Sequence, residues 1–392
     1  MEIVYLDNNA TTRVDPEVVA AMTPFFSDYY GNPSSMYSFA AAVAERIQEA
    51  RASVARLIGA APEEIVFTSC GTESDSTAIR AAIESHPDRR HLVTSRVEHP
   101  AIKSLYESLA KKGFRVTFVP VDREGRLDLD YLYDHLSDDT AVVSLMWANN
   151  ETGVIFPIEE VSAEVKRRGI VFHTDAVQSV GKIPIDVGRT GVDMLSISGH
   201  KIHAPKGVGA LYVRKGTRFA PFMIGGHQER GRRGGTENTA SIVGLGKAAE
   251  IALRHLQAGD YECVRELRDR LENTILERVP NVLVNGARDK RLPNTSSVSF
   301  EYVEGESILL MLNEHRICAS SGSACTSGSL EPSHVLRAMG VPFTASHGSI
   351  RFSLSRYTTG SEIDAVIEKL PPIIERLRQM SPFWQGNKCE AR

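Results

Sequence analysis

The stretch AVVSLMW at residues 141–147 is apolar at every position except Ser144. Such a run is typical of a strand that is buried on both faces of a sheet. A helical pattern follows at Ile158–Arg168, and a second strand-like run follows at Ile170–His173. This succession of strand, helix and strand predicts parallel strands that are joined by helices packed on the sheet.

The same alternation extends in both directions along the chain. Further strand-like runs are Ile65–Thr68, His91–Ser95, Phe114–Val119, Met194–Ile197 and Gly209–Val213. Helical patterns lie between several of them, at Thr72–Glu84, Pro100–Lys112 and Leu129–Leu136. We therefore predict an α/β fold whose large domain contains a mostly parallel seven-stranded sheet flanked by helices.

The pattern changes after Val213. A glycine- and arginine-rich loop occupies residues 225–235, and two long helices are predicted at Ala240–Leu256 and Tyr261–Arg278. Shorter strands and helices fill the rest of the chain. We place a domain boundary near residue 259, which gives a large domain at 16–259 and a smaller α+β domain formed by 1–15 and 260–392, with a cysteine loop at about 320–330.

Composition excludes several classes of protein. The 392 residues are 42% hydrophobic and 24% charged, which is ordinary for a globular protein and excludes a disordered or collagen-like chain. The net charge of −4 excludes a general basic surface for nucleic acid. No apolar run approaches the roughly 18 residues of a membrane span, and we expect no secretory signal. The odd count of five cysteines argues against a disulfide framework and favours the cytoplasm.

Metal-binding patterns are weak in this sequence. His200 and His203 are three positions apart, but no cluster of cysteines or carboxylates completes a zinc site with them. The spacing of Cys318 and Cys325 does not match a zinc knuckle. A resident metal centre is therefore not predicted from the spacing of these residues.

Lys201 follows the predicted strand Met194–Ile197 and a Ser-Gly-His turn. Ligands of α/β proteins bind at the carboxyl ends of strands, and a desolvated lysine there can form a Schiff base with an aldehyde cofactor. A solvated surface lysine is the ordinary alternative. Pyridoxal phosphate (PLP) would also require a phosphate cradle, an acid for the pyridine nitrogen, a stacking ring and a donor to the ring oxygen.

Candidates for these groups also follow predicted strands. They are Gly71 and Thr72 for the phosphate, Asp175 for the pyridine nitrogen, His99 for stacking and Gln178 for the ring oxygen, with Asn150 after the strand at 141–147. Three of these candidates also have an ordinary structural explanation. Thr72 and Asp175 could simply cap helices, and His99 could be a surface histidine. The coincidence of all of them at strand ends favours one shared site.

Cys325 lies in Ser320–Ser329, a segment of small polar residues, whereas Cys318 lies in apolar surroundings. A thiol in such a segment indicates a nucleophile that travels on a loop, and a chance surface thiol is the alternative. Arg351 lies inside the apolar run Ser349–Leu354, where a buried guanidinium needs an anionic partner. A substrate carboxylate fits its two-pronged geometry, and an internal salt bridge is the alternative.

Ordered motifs along the whole chain resemble those of the cysteine desulfurases, in particular the NifS/IscS-type group. The motifs are YLDNNATT at 5–12, GNPSS at 31–35, FTSCGTE at 67–73, NNETG at 149–153, HTDAVQ at 173–178, SGHK at 198–201, RGRRGGTEN at 230–238, SGSAC at 321–325, LEPSHVLR at 330–337 and IRFSLSR at 350–356. The resemblance implies a class V aminotransferase-like, fold-type I PLP enzyme that is active as a homodimer.

The resemblance also implies a role for each matching residue. Lys201 carries the cofactor and removes the α-proton, His99 stacks on the ring and shuttles a proton, Asp175 pairs with the pyridine nitrogen, Asn150 and Gln178 contact ring substituents, and Gly71, Thr72, Ser198 and His200 bind the phosphate. Thr236 is expected to reach the phosphate in the site of the other subunit.

For the substrate, the resemblance implies that Arg351, with Asn150 nearby, binds the carboxylate of L-cysteine. Cys325 attacks the substrate sulfur, which leaves a persulfide on the enzyme and releases L-alanine. An iron–sulfur scaffold protein of the NifU/IscU type is the expected sulfur acceptor, and Cys325 is a candidate for transient ligation of the cluster iron. The ending Ser381–Trp384 resembles the nitrogenase-associated NifS branch.

Some positions depart from the commoner family pattern. Tyr37 and Ala40 stand where a histidine and a glycine are usual, Cys70 replaces a glycine, and Asp75-Ser76 replaces a pair that contains asparagine. Two alternatives of other kinds remain open at this point: an aminotransferase or selenocysteine lyase on the same fold, and a non-catalytic scaffold of a sulfur pathway.

Overall fold

The computed structural model describes residues 3–321 and 332–384. Its strands are β1 (Val4–Tyr5), β2 (Ile65–Thr68), β3 (His91–Ser95), β4 (Arg115–Val119), β5 (Thr140–Met146), β6 (Val171–Asp175), β7 (Met194–Ser198), β8 (Gly209–Val213), β9 (Val282–Val284), β10 (Thr295–Phe300), β11 (Ile317–Cys318), β12 (Ser320–Ser321) and β13 (Ser349–Ser353). Its α-helices are α1 (Pro16–Met22), α2 (Ser38–Leu57), α3 (Gly71–Ser85), α4 (Pro100–Lys111), α5 (Leu129–His135), α6 (Ile158–Arg167), α7 (Thr239–Ala258), α8 (Tyr261–Arg278), α9 (Gly305–Glu314), α10 (His334–Ala338), α11 (Phe343–Ser346) and α12 (Gly360–Met380).

The central sheet has seven strands in the order β2-β8-β7-β6-β5-β3-β4. Strand β8 is antiparallel to both of its neighbours, and the other pairs are parallel. Every residue of β5, β6 and β7 is buried, because helices cover both faces of the sheet. The predicted mostly parallel, seven-stranded α/β fold is confirmed.

Helices α1, α2 and α7 cover one face of this sheet together with α6. Apolar residues of these helices, such as Val18, Ile47 and Leu245, share one core cluster with the sheet residues Phe172 and Ile197. A glycine allows the closest approach between α7 and α2, since a Cβ atom at Gly246 would lie 2.4 Å from the Cα atom of Ala50. The opposite face is covered by α3 and α4.

The second sheet is antiparallel, in the order β12-β13-β10-β9. It packs with α8, α9 and α12 around a separate apolar cluster, which also contains Val4 and Leu6 from the first residues of the chain. Residues Val335 to Met339, in contrast, pack on the core of the large sheet. The division into a large domain (16–259) and a small domain (1–15 with 260–392) stays a proposal. The separate apolar cluster around the second sheet supports it.

The N-terminal segment connects the two sheets. Strand β1 pairs in parallel with β11, and Asp7 forms an isolated bridge with Ser353 of β13. The backbone of Thr12 then donates to the carbonyl of His200, which follows β7. Residues 7–12 therefore run along the carboxyl ends of the central strands. None of the described helices has the length and apolarity that crossing a membrane requires.

Candidate active site

A cavity of about 320 Å³ opens at the carboxyl ends of β2, β3, β5, β6 and β7. It is lined by Ala10, Cys70, Gly71, Thr72, Asp75, His99, Met146, Ala148, Asn150, Asp175, Val177, Gln178, Ser198, His200 and Lys201. Nine of the residues that the sequence singled out are therefore neighbours in space. They come from five loops, because the parallel strands all end at the same edge of the sheet.

Lys201 ends a short 3₁₀ turn, Gly199–Lys201, which directly follows β7. Its Nζ donates to the backbone oxygens of Asn9 at 2.5 Å and Ala10 at 2.7 Å. Burial, with the nearby Arg351 guanidinium, lowers the pKa of Lys201 to about 8. A lysine with such a pKa is partly uncharged near neutral pH, so its nitrogen can act as a nucleophile or as a base.

Two buried carboxyl groups lie at the floor of the cavity. Asp175 ends β6, and its Oδ1 accepts from the backbone N–H of Val177 at 2.9 Å. Asp75 on α3 is 1% exposed, and burial together with the nearby Asp175 raises its pKa well above the ordinary value. Burial also raises the pKa of Asp175, while His99, the backbone N–H of Val177 and Lys201 act in the opposite direction. Since two close carboxyl groups do not both ionise readily, Asp75 is the one of the pair that favours the proton.

His99 caps the N-terminus of α4, and its Nδ1 accepts from the backbone N–H of Ala101 at 3.2 Å. Burial lowers the pKa of His99, and the positive charge of Lys201 acts in the same direction. The ring is therefore neutral, with its Nδ1 occupied as an acceptor and its Nε2 carrying the proton. A neutral ring with a free face suits stacking on a flat ligand.

The turn between β2 and α3 has the form of an anion cradle. Helix α3 begins at Gly71, so the first backbone N–H groups of the helix point out of its end beside the cavity. A Cβ atom at Gly71 would lie 3.0 Å from Cγ2 of Val177 and 3.4 Å from Cβ of Ser198. The Ser198 hydroxyl is buried and has no hydrogen-bond partner among the described residues. These features fit a phosphate group, because it supplies the missing partner and satisfies the helix N-terminus.

Arg351 lies on β13, and its side chain is directed toward the N-terminal segment. Its Nη2 is 2.8 Å from Oδ1 of Asp7, and its Nη1 donates to the backbone oxygen of Asn150 at 3.1 Å. Arg351 therefore forms an internal salt bridge with Asp7, which is the alternative that the sequence analysis left open beside a substrate carboxylate. The Nε of Arg351 is buried and has no partner among the described residues.

Comparisons with known proteins place this arrangement in a family. The model of the aminotransferase class-V family matches residues 4–366. A cysteine desulfurase of Trichormus azollae is 60% identical over 383 residues, which cover 98% of this chain and 96% of the relative. Cysteine desulfurase NifS of Azotobacter vinelandii is 60% identical over 388 residues, which cover 99% of this chain and 96% of the relative. This chain belongs to the cysteine desulfurase family.

A solved structure of a NifS-like protein agrees with the assignment. It superposes on this desulfurase with a TM-score of 0.90 at 38% identity, covering 96% of this chain and 100% of the other. The resemblance inferred from the motifs is thereby confirmed, together with the fold. Enzymes of this family use PLP, and the lysine, the acid and the anion cradle of the cavity are the donor set that this cofactor requires.

Among the described residues that the sequence singled out, Thr236 and Arg351 do not line the cavity of this desulfurase. Thr236 is exposed in the glycine- and arginine-rich loop and is absent from the cavity wall. Cys325 lies outside the described residues, as does most of the loop predicted at 320–330. No group of three possible metal ligands occurs in residues 3–321 and 332–384.

Sequence reasoning missed three groups next to the cavity of the desulfurase. Asn9 holds both Lys201 and Gln178 through its backbone oxygen. Glu98 is fully buried, and burial raises its pKa to about 8. Lys182, at 4% exposure, donates to Gln178. The motif YLDNNATT contained Asn9, but nothing in the spacing of the motif connects it with Gln178 and Lys201, which are 169 and 192 positions away.

Proposed function

We propose that this desulfurase converts L-cysteine into L-alanine and a persulfide on Cys325, and that the sulfur serves iron–sulfur cluster assembly. The observation that carries the proposal is the cavity in which Lys201, with its pKa lowered to about 8, lies near Asp175 and the anion cradle at Gly71. The high identity to curated desulfurases supports the substrate.

Bound PLP supplies an electron sink for the bonds at the α-carbon of the substrate. Lys201 would hold the cofactor, and its freed amine would then accept the α-proton, a transfer that its lowered pKa favours. Asp175 would keep the pyridine nitrogen protonated through its negative charge. The neutral ring of His99 would lie on the cofactor face, where its Nε2 proton is available to the substrate sulfur. Gly71, Thr72, Ser198 and His200 would bind the phosphate.

The sulfur step balances without an outside oxidant. The Cys325 thiolate forms an S–S bond with the substrate sulfur, and the C–S bond of the substrate breaks. The electron pair of that bond stays with carbon, which takes up a proton and becomes the methyl group of alanine. The terminal sulfur remains on Cys325 as the persulfide, so one cysteine gives one alanine and one transferable sulfur atom.

Arg351 would bind the substrate carboxylate after exchanging partners. In the structure one prong of its guanidinium binds Asp7 and the other binds the Asn150 carbonyl. A substrate carboxylate offers two acceptor oxygens and thus satisfies both prongs at once. Asp7, which is more exposed than Arg351, would then turn toward solvent. Asn150, which lines the cavity, is proposed to contact both the cofactor and the substrate carboxylate.

The function is tested by product analysis. The PLP-loaded protein and L-cysteine are expected to give L-alanine and, with a thiol reductant, sulfide in equal molar amounts. Without reductant, mass spectrometry of the intact chain should show one added sulfur atom. Alanine formation from selenocysteine alone would instead assign the chain to the lyases, and a requirement for a 2-oxo acid would assign it to the aminotransferases.

A homodimer is supported by exposed apolar side chains on the described surface. Phe26 is 70% exposed, Tyr30 is 74% exposed and Ile224 is 90% exposed. Monomeric proteins rarely expose large apolar side chains in clusters. Loop 225–236, which follows Ile224, is tied to the cradle helix by the ion pair between Arg233 and Glu73 at 2.8 Å. Thr236 is exposed and does not line the cavity of its own chain, and we propose that it reaches the phosphate site of a two-fold partner.

Subunit mixing tests this shared site. Lys201→Ala chains are combined with Thr236→Ala chains, and heterodimers are isolated through two different affinity tags. One site of the heterodimer then carries both defects and the other carries neither, so activity should recover to about half of the wild-type value. Heterodimer activity no higher than that of the Thr236→Ala homodimer would mean that Thr236 acts within its own chain.

The remaining assignments concern the setting of the enzyme. We propose a cytoplasmic location, in which a reducing environment would keep Cys325 as a thiol. An iron–sulfur scaffold protein of the NifU/IscU type is proposed as the sulfur acceptor, with nitrogenase as the associated system. Transient ligation of cluster iron by Cys325 belongs to the same proposal. Identity to a NifS protein supports the pathway.

A further inference from the structure

Lys182 is a buried lysine beside the cavity that none of the roles above uses. Its Nζ donates to Oε1 of Gln178 at 2.8 Å and to Oδ1 of Asn9 at 3.3 Å. The strongest charged influences on it are cationic, from Lys201 and Arg351. Lys182 is only 4% exposed, and burial among cations disfavours a charged ammonium group. The presence of a lysine at this position therefore needs an explanation other than an ion pair.

The hydrogen-bond count indicates an uncharged amine. Burial, together with the two neighbouring cations, lowers the pKa of Lys182 well below its ordinary value. A neutral amine has two N–H groups, and two amide oxygens lie within hydrogen-bond distance of its nitrogen. Both N–H groups of Lys182 are therefore used. They bind the side-chain amide oxygens of Gln178 and Asn9, and these two hydrogen bonds define how each amide is oriented.

The orientation of the Gln178 amide depends on this contact. Its Nε2 donates to the backbone oxygen of Asn9 at 3.0 Å, and its Oε1 accepts from Lys182. A flipped amide would place two acceptors together at Asn9 and two donors together at Lys182. The N–H end of Gln178 therefore lies on the side where Lys201 also binds the Asn9 carbonyl, at the wall of the cavity.

We propose that Lys182 is a positioning residue, which fixes the Gln178 amide so that its N–H end is presented to an oxygen of the bound cofactor. The inference rests on the proposed function, because it requires that PLP occupies the cavity. Lys182 itself does not line the cavity, so we assign it no direct contact with cofactor or substrate. The proposed effect passes through Gln178, the shorter of its two contacts, and a double-mutant cycle tests this route.

The cycle uses Lys182→Met, Gln178→Ala and the double variant, with PLP binding to the apoprotein as the readout. Lys182→Met keeps the length of the side chain and removes the donors. We expect it to raise the dissociation constant for PLP about three- to tenfold, the value of one hydrogen bond, and to shift the absorbance maximum of bound PLP. In the Gln178→Ala background, Lys182→Met should change neither quantity further. Lys166→Met, at an exposed position of α6, is the matched control.

Apoprotein melting curves separate positioning from a loss of structure. If Lys182→Met does not fold, Lys182→Leu replaces it in the cycle, because it also removes the donors; Lys182→Gln, whose shorter amide still carries N–H donors, should restore part of the PLP affinity. An equal effect of the Lys182 substitution with and without Gln178, or no effect on PLP binding, would overturn the positioning role while leaving the proposed function intact. Failure of the wild-type apoprotein to bind PLP would overturn the proposed function itself.

Discussion

The Lys201→Ala variant is expected to lose the visible absorbance of lysine-bound cofactor and to form alanine at least roughly a thousandfold more slowly than the wild type. The reason is that Lys201 is the cavity lysine whose pKa is lowered to about 8, so both the covalent attachment and the base are lost together. Absorbance spectra and single-turnover alanine formation would measure the two losses separately.

The control for this variant is Lys206→Ala, which removes an exposed lysine from the next turn of the chain. Its spectrum and its alanine formation should both equal those of the wild type. A Lys201→Ala protein that retains the visible band would show that another lysine carries PLP. Lys182 is the buried lysine that would then be examined first, since it lies next to Gln178.

The Cys325→Ala variant should behave in the opposite way, with a normal cofactor spectrum and no persulfide. Cys325 is outside every motif that lines the cavity, so its removal leaves PLP binding unchanged. Alanine release should fall by roughly a hundredfold or more, because the thiolate that takes the sulfur is missing. Absorbance, alanine release and the intact mass of the chain give the three readouts.

Cys263→Ala is the matched control, because Cys263 is an exposed thiol on α8. Its alanine release and persulfide mass should match those of the wild type. Alanine release from Cys325→Ala at the wild-type rate would contradict the assignment of the nucleophile. Persulfide formation on Cys263 in that variant would identify it as the sulfur carrier instead.

The sequence predicted the central sheet well because all its strands except the edge strand β4 are buried on both faces. Such strands are continuous apolar runs, and the residues that follow them converge at one edge of a parallel sheet by geometry alone. The predicted cluster of His99, Asp175 and Lys201 in one cavity followed directly from that rule. Helix α2 was not identified, since its buried stripe includes small residues such as Ala40 and Ala50, which give a weak periodic signal.

The contacts that depend on distant parts of the chain could not be predicted. Asn9 reaches Lys201 and Gln178 because β1 pairs with β11, and that pairing joins residues more than 300 positions apart. The choice between a substrate and an internal partner for Arg351 was open for the same reason, because Asp7 is remote in sequence. The raised pKa of Asp75 likewise arises from burial beside Asp175, which only the fold creates.

The pairing of β12 with β13 constrains the proposed delivery of sulfur from Cys325. Ser320 is the register partner of Arg351, so the chain leaves the sheet for Cys325 from a point beside the proposed carboxylate site. Cys325 follows Ser321 by four positions, and four extended residues span at most about 14 Å. With Cys325 as the proposed sulfur carrier, this short reach implies that an acceptor has to approach this edge of the small sheet.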